Sequence, residues 1–323
     1  MAAPQIKIAR SASEMDHIAP LWNELVKLQA HTIFQRFSWN RLAANIFSDR
    51  LTPHIVAVES DAGAAIIPAA VNHATRQLEL IGEALFDYRD VLHAGDSAVL
   101  DLAWRETAKC GRPLRVTAVS ETAARERWRE FSTSPFAKAP QVERSLVNES
   151  DFRVAHSRLG RQMRRLSRSS VSLYIYSGGN SEAIRRLYEC KRRHFTEDNL
   201  FFDQRRCDFI VAAAALEGSG CELFTLDSKD GALVSGLLTF RDVDVRRFYT
   251  VYFDPEWARY SPGVALLYEV TALSLREGLS CDYMTGEQPY KLRLANASRA
   301  LYKVEARAKK LAEIAAGRRR SVA

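Results

Sequence analysis

Cysteine is scarce: five occur in 323 residues, at Cys110, Cys190, Cys207, Cys221 and Cys281. The number is odd, and no C-x-x-C pair or Cys/His ligand spacing is present, so neither a disulfide framework nor a zinc site is indicated. Free thiols in a reducing cytoplasm are the expectation. Long hydrophobic runs are also missing. The longest, "AAIIPAAV" and "IVAAAAL", fall far short of the roughly 20 residues of a membrane-spanning helix. The opening "MAAPQIKIARSASEMD" lacks an apolar core of signal-peptide length. A soluble cytoplasmic protein without an integral membrane segment is expected. A large block of one charge sign is the third absence. The net charge of +7 comes from 46 Lys+Arg against 39 Asp+Glu, an excess that suits acidic ligands such as phosphorylated cofactors without requiring DNA. Part of it lies between Arg153 and Arg168, and part in the terminal "GRRRS", which is too short to carry nucleic-acid binding.

What is present is a repeat. "HIVAVESDAGAAIIPAAV" and "CELFTLDSKDGALVSGLLTF" each hold two β-rich runs, around Asp61-Ala62-Gly63 and Asp230-Gly231 respectively, which are hairpin signals. Strand "IKIAR" matches "VSLYIYS", "RQLELIG" matches "VRRFYTVYF", and "PLRVTAV" matches "CDYMTG". The helix opening at Ser97 matches the one opening at Ser261. All these pairs are offset by 164 to 169 residues. Helical patterns fill corresponding places: Glu14–Ala30 with Trp39–Phe47, then Ser181–Phe195 with Cys207–Leu216. The order strand, helix, helix, strand, strand, strand, helix, strand therefore occurs twice. This predicts two α/β (α+β) domains in tandem, residues 1–150 and 151–310, each a mixed, largely antiparallel sheet flanked by helices. The arginine-rich "RVAHSRLGRQMRRLSRSS" is the expected connecting helix, and 311–323 a basic tail.

One helix start stands out. "YSPGVALLYEV" puts Ser261, Pro262 and Gly263 ahead of an apolar helix with no charge in its first turn. Ser261 suits an N-cap, Pro262 the first helical position, and bare Gly263 lets an anion approach the N–H groups of Gly263 and Val264. Packing alone is the competing explanation for the glycine. The first repeat carries Asp96 at the same place, which repels a phosphate, so a working anion site is expected in the second half and the first half is expected to be degenerate.

The element order and these residues resemble the GNAT acyltransferase domain, in which this helix start holds a cofactor pyrophosphate. The chain is similar in particular to GNAT-like acyltransferases of the cellulose-biosynthesis-protein-D-like or BioF2-like family, and more remotely to the Fem-type peptidyltransferases. The stretches are "LWNELVKLQAHTIFQRFSWN", "LIGEALFDYRDVL", "YFDPEWARYSPGVALLYEV" and "CDYMTGEQPYKLRLAN". The family pattern of a Pro-Gly helix start, then Asp, Gly and Tyr-Lys, falls on Pro262, Gly263, Asp282, Gly286, Tyr290 and Lys291. The resemblance implies tandem GNAT folds, an acyl group taken from acyl-CoA (acetyl-CoA or longer), an amine acceptor, no metal, and a setting in polysaccharide or cell-envelope biosynthesis. The chain departs in one place. Tyr260 stands where Gln or Arg usually opens the pyrophosphate loop, with Arg259 one step earlier.

Acyl transfer to an amine needs a proton acceptor, donors for the oxyanion and a proton for the leaving thiolate. Candidate catalytic residues are Glu287 and Asp282 as acceptors, Tyr290 as donor to the thiolate, and Lys291 for a phosphate or the oxyanion. The donors are sought on Phe248 to Phe253. Candidate cofactor contacts are Arg259, Tyr260, Ser261, Gly263 and Val264. Asp87, Tyr88 and Asp90 of "FDYRD" are candidates for a cationic acceptor, and Arg161 and Arg165 for an acidic one. For each a structural role competes: a strand-end hydrogen bond for Asp282, an exposed loop for Glu287, loop packing for Tyr290 and Lys291, a salt-bridged turn for "FDYRD", and a solvated face for the arginines. Trp39 is expected in the core and His194 at the surface or in a cleft. Two alternatives to acyl-CoA chemistry stand: Fem-like transfer from aminoacyl-tRNA, and a non-catalytic GNAT scaffold that binds an envelope-biosynthesis partner.

Overall fold

In the structure, a computed structural model, residues 3–28, 32–195 and 200–316 are described. The chain forms two units, residues 1–137 with 300–323, and residues 138–299. In order, the elements are β1 (Gln5–Ala9), α1 (Ala19–Leu28), α2 (Phe37–Ile46), β2 (Leu51–Ser60), β3 (Gly63–Asn72), β4 (Leu78–Leu80), β5 (Leu92–Gly95), α3 (Ser97–Ala108), β6 (Leu114–Ser120), α4 (Glu121–Glu126) and β7 (Ser132–Val142). There follow α5 (Glu149–Ala155), α6 (Ser157–Arg168), β8 (Val171–Ser177), α7 (Ser181–His194), α8 (Gln204–Ala214), β9 (Cys221–Ser228), β10 (Leu233–Asp242), β11 (Val245–Phe253), α9 (Pro262–Arg276), β12 (Ser280–Asp282), α10 (Pro289–Leu294), β13 (Ala297–Ala306) and α11 (Ala308–Ala315).

The expected repeat is visible in the pairing. In the first unit β1, β2 and β3 run antiparallel, with Gly63 at φ +141 opening β3 beside the tight turn, a backbone angle that favours glycine. In the second, β8, β9, β10 and β11 do the same. Each meander is followed by a helix and then by a parallel strand: Leu78 pairs with Leu114 between β4 and β6, and Val245 to Arg247 pair with Ser280 to Asp282 between β11 and β12. Alternation sorts the strand side chains. Val56, Val58, Ala65 and Ile67 pack on Val99, Leu100, Ala103 and Trp104 of α3. Phe224, Leu226, Leu237 and Phe248 pack on Ala265 to Val270 of α9. Trp39 is buried as expected. Among the described residues no helix is long and apolar enough to cross a membrane, and all five cysteines are free thiols.

The units do not divide at residue 150. Val142 and Gln141 of β7 pair with Cys281 and Asp282 in the second unit, and Leu301 to Ala306 of β13 pair with β6 in the first. Each sheet thus takes its last strand from the other repeat. These are long-range pairings, and a linear reading of composition has no access to them. The expected basic tail changes as well. Leu311 of α11 is buried in the core of the first unit, while "GRRRS" lies outside the described residues.

Leu301 is buried and paired to Ser120. Leu301→Ala is expected to cost about 2–5 kcal/mol in denaturant unfolding, as for other buried leucines. A change below about 0.5 kcal/mol, the size of an ordinary surface substitution, would mean that β13 is not part of this sheet's packing.

Candidate active site

The second unit contains a forked sheet. β11 and β12 pair for three rungs, the last joining Arg247 to Asp282, and then separate. Side chains lock that rung. Arg247 donates from Nε to Asp242 Oδ2 at 2.7 Å and from Nη1 to Asp282 Oδ2 at 2.6 Å, with all three side chains buried. Asp282 Oδ1 accepts the Met284 N–H at 2.8 Å, and Met284 at φ +61 turns the chain away. Lys291 of α10 holds the same turn, donating to the carbonyls of Met284 and Thr285 at 3.3 and 2.9 Å. Beyond the last rung β11 carries a bulge. Leu238 pairs with Thr250 but Thr239 with Phe248, so Tyr249 is an extra residue, which increases the strand's twist and re-aims the residues from Thr250 onward.

An open strand edge results. Asp254 N–H donates to Val234 O at 2.9 Å, and Tyr252 O accepts from the Ser235 hydroxyl at 2.7 Å, both toward β10. The N–H and C=O of one extended residue point to the same edge and alternate along a strand. Those of Val251 and Phe253 therefore face the edge that β12 has left. Helix α7 lies against this edge. Lys191 Nζ donates to Val251 O at 2.9 Å, Tyr188 and Thr250 hydroxyls meet at 3.0 Å, and His194 Nδ1 lies 2.8 Å from the Tyr252 hydroxyl. Phe195 sits edge-on to Tyr252 and Phe253, with centroids 6.3 and 6.0 Å away. Burial pushes the Lys191 ammonium down to about 8 and raises the Tyr252 hydroxyl above its ordinary range.

Helix α9 begins beside Phe253. A short 3-10 helix, Pro255–Tyr260, is capped by Asp254 and runs directly into it. Ser261 occupies the N-cap position at φ 47, ψ 52 and makes no side-chain cap. The expected cap is therefore not formed: a capping residue typically has an extended backbone, whereas here the 3-10 helix enters α9 through left-handed Ser261. Ala265 N–H donates to Ser261 O, and Pro262 has no N–H, so Gly263 and Val264 carry the open first-turn donors. A Cβ on Gly263 would stand 3.4 Å from the Phe253 ring, an ordinary contact, so packing against that ring does not by itself require glycine. Arg259 lies over the Tyr260 ring at 4.7 Å, and Trp257 is 5.6 Å from Tyr260. In the first unit Asp96 caps α3 by accepting from Ala98 N–H at 2.8 Å, which fills the corresponding place.

The predicted site residues scatter. Asp282 and Lys291 shape the fork, and Asp282, at 1% side-chain exposure with both oxygens engaged, has no face for an amine. Glu287 is exposed and paired with Lys138 at 3.4 Å. Tyr290 is half-buried against the core, and burial raises its hydroxyl. In the first unit Asp90 is a structural carboxylate. It accepts from Arg127 Nε at 2.8 Å, Trp128 Nε1 at 3.2 Å and Val91 N–H at 2.8 Å. Tyr88 is buried at φ 51, and its carbonyl accepts from Gln35 at 2.6 Å; Asp87 is half-buried. Arg161 and Arg165 are exposed on α6. The sequence reading missed Lys191, Phe195 and Tyr252 and assigned His194 no chemistry. A signal for Lys191 existed: Ile184, Leu187, Tyr188 and Lys191 share one helical face at i, i+3, i+4 and i+7, and the first three are buried.

Residues 153–292 match the model of the acetyltransferase (GNAT) domain, all within the second unit. Among curated proteins none matches the chain. Many solved structures resemble the chain, and three of them show the shared fold. The C-terminal domain of a putative lysylphosphatidylglycerol synthetase from Agrobacterium fabrum aligns at 12% identity over 94% of this chain and 96% of that one, with a TM-score of 0.58. FemX aligns at 10% over 94% and 97%, TM-score 0.55. A tandem GNAT protein from the clavulanic acid biosynthesis pathway aligns at 11% over 94% and 98%, TM-score 0.53. At such identity the likeness shows the fold alone: a mixed α/β, largely antiparallel architecture of tandem GNAT type, whose second repeat is the part that matches the acetyltransferase (GNAT) domain model.

Asp282→Ala strands Arg247 in the interior and is expected to cost about 3–5 kcal/mol, whereas exposed Glu287→Ala stays within about 0.5 kcal/mol; denaturant titration of both variants reads the contrast. Lys191 falls to about 8 from an ordinary 10.5. Between those values the unfolded chain keeps a proton that the folded chain has lost, so stability rises with pH across that window. Against Lys191→Met, the wild type should therefore gain stability from about pH 8 to about pH 10.5, with a constant difference below pH 7. A difference that ignores pH would show a solvated ammonium.

Proposed function

We propose that the second repeat is an N-acyltransferase that moves an acyl group from acyl-CoA to an amine acceptor. The observation that carries this reading is the fork between β11 and β12, with the start of α9 beside its open strand. One place offers main-chain donors for two parts of one ligand. The N–H groups of Gly263 and Val264 suit a pyrophosphate, with roughly 0.3–2 kcal/mol from the helix dipole, and Arg259 and Tyr260 add a cation and a ring nearby. The N–H groups of Val251 and Phe253 suit a thioester carbonyl, whose oxygen gains negative charge as an amine attacks. Phe195 and Phe253 supply apolar cover for the acyl chain. Tyr290 is the candidate donor to the leaving thiolate, and Glu287 remains a candidate proton acceptor reachable from solvent. Asp282 and Lys291 act through the backbone they hold. The first repeat, whose helix start is filled by Asp96, offers no corresponding anion site. The resemblance to the cellulose-biosynthesis-protein-D-like and BioF2-like acyltransferases supports a cytoplasmic reaction on a sugar or small amine of polysaccharide or envelope synthesis.

A second reading has one observation in its favour. Arg158, Arg161, Arg164, Arg165 and Arg168 are all exposed along α6, which packs on α9. Such a row suits the phosphates of an aminoacyl-tRNA, the donor of the Fem-like reading.

Thermal unfolding with CoA, acetyl-CoA and longer acyl-CoAs decides between them. A species at 100 times its Kd stabilises by about 2.7 kcal/mol, and Gly263→Asp, which puts a carboxylate at the helix start, is expected to abolish the shift. No shift with any CoA species, together with salt-dependent binding of charged tRNA, would replace the first reading with the second.

A further inference from the structure

We propose that Lys191 is a reactive amine of this site and takes the acyl group itself when a thioester is bound without another acceptor, which makes it a self-acylation site that closes the enzyme. The inference rests on the acyl-thioester reading of the fork. Its basis is placement. Lys191 Nζ is hydrogen-bonded to Val251 O at 2.9 Å, and the N–H of the same residue faces the same edge. A thioester carbonyl bound by that N–H therefore puts its carbon next to Nζ. Neutral Nζ keeps an N–H for Val251 O and has a lone pair free for the carbonyl carbon. Phe195, with its ring centroid 6.0 Å from Nζ, covers the amine.

The step balances without any further reagent. The Nζ lone pair attacks the carbonyl carbon, the C–S bond breaks, and the thiolate leaves. The proton shed by Nζ goes to the thiolate, so the products are an amide and a free thiol. The amide has no positive charge and a single N–H, so acylation removes the titrating group and fills the open edge with the acyl chain.

The surroundings favour a neutral amine near physiological pH. Burial pushes Lys191 down to about 8. Desolvation alone shifts Lys191; the titratable and charged groups on the elements packed there are Cys190, Arg192, Arg193 and His194 of α7, Tyr252 of β11, which His194 meets at 2.8 Å, and Asp254 just after it. On the α8 side are Cys207, near Arg192, and Asp208, paired with Arg185 at 2.8 Å. Tyr252, Cys190 and Cys207 are all raised by burial and stay protonated, so they give Lys191 no thiolate or phenolate to hold its charge.

The test is mass spectrometry of peptides from the full chain after incubation with acetyl-CoA, at pH values from 7 to 10. Lys191 is expected to be acetylated ahead of every other lysine. Its rate should rise about tenfold from pH 7 to pH 9 and then level off, as the neutral fraction of an amine near 8 does, while ordinary lysines continue to rise. S-acetyl-N-acetylcysteamine, a short thioester without the nucleotide, should modify Lys191 more slowly than acetyl-CoA. Equal rates would mean adventitious amine reactivity and overturn the proposal. A thermal shift with acetyl-CoA but no acetyl group on Lys191 would overturn it and leave the acyl-CoA reading intact, whereas neither shift nor modification would sink both.

Discussion

A single guanidinium organises the second repeat. Arg247 sits between the carboxylates of Asp242 and Asp282, at 2.7 and 2.6 Å, on the last rung that β11 shares with β12. Burying charges costs several kcal/mol per ion, so such a group adds little net stability. What it adds here is position. The pairing ends at a defined residue, because the ion pair spans the same two positions as the backbone rung. The neighbouring residue secures the other face. Successive strand residues point to opposite sides, and fully buried Arg246 reaches Ser274 and Glu277 of the α9 region and Glu222 of β9. Two consecutive arginines thus fix the fork from both faces. The bulge at Tyr249, the open N–H groups and the approach of α7 all lie beyond that point.

The two repeats show how one topology can be given different chemistry by a few residues. Each has a meander, a helix and a parallel strand. In the first, β4 has three residues and meets β6 at one pair, and α3 starts on its own Asp96 carboxylate. In the second, β11 has nine residues and extends well past its partner, and α9 starts without a carboxylate in its first turn. The first arrangement satisfies a backbone donor with its own carboxylate; the second leaves the N–H groups of Gly263 and Val264 without an intrahelical acceptor. The exchange of β7 and β13 explains why neither repeat is a separable stretch of sequence: each sheet contains a strand that the other repeat encodes.

The element order, its doubling and the bare start of the second helix were all legible in the residue string. These depend on local quantities: hydrophobic period, turn residues, and the Ser-Pro-Gly run at Ser261. The string also singled out Asp282 and Lys291, and the folded chain gives both of them bonds that hold the fork. Which partner a charged side chain takes is a matter of distance across the fold, and Arg247 lies far from Asp282 in sequence. It took the folded chain to establish that Asp282 is consumed by an ion pair, that Asp90 is held by Arg127 and Trp128, and that β7 and β13 change sheets. Lys191 shows the division most clearly. In the string "KRRHF" it is one cation among several. Folding sends Arg192 to Gln204 of α8, leaves Arg193 exposed and lays Lys191 along the open edge of β11, where desolvation changes its chemistry.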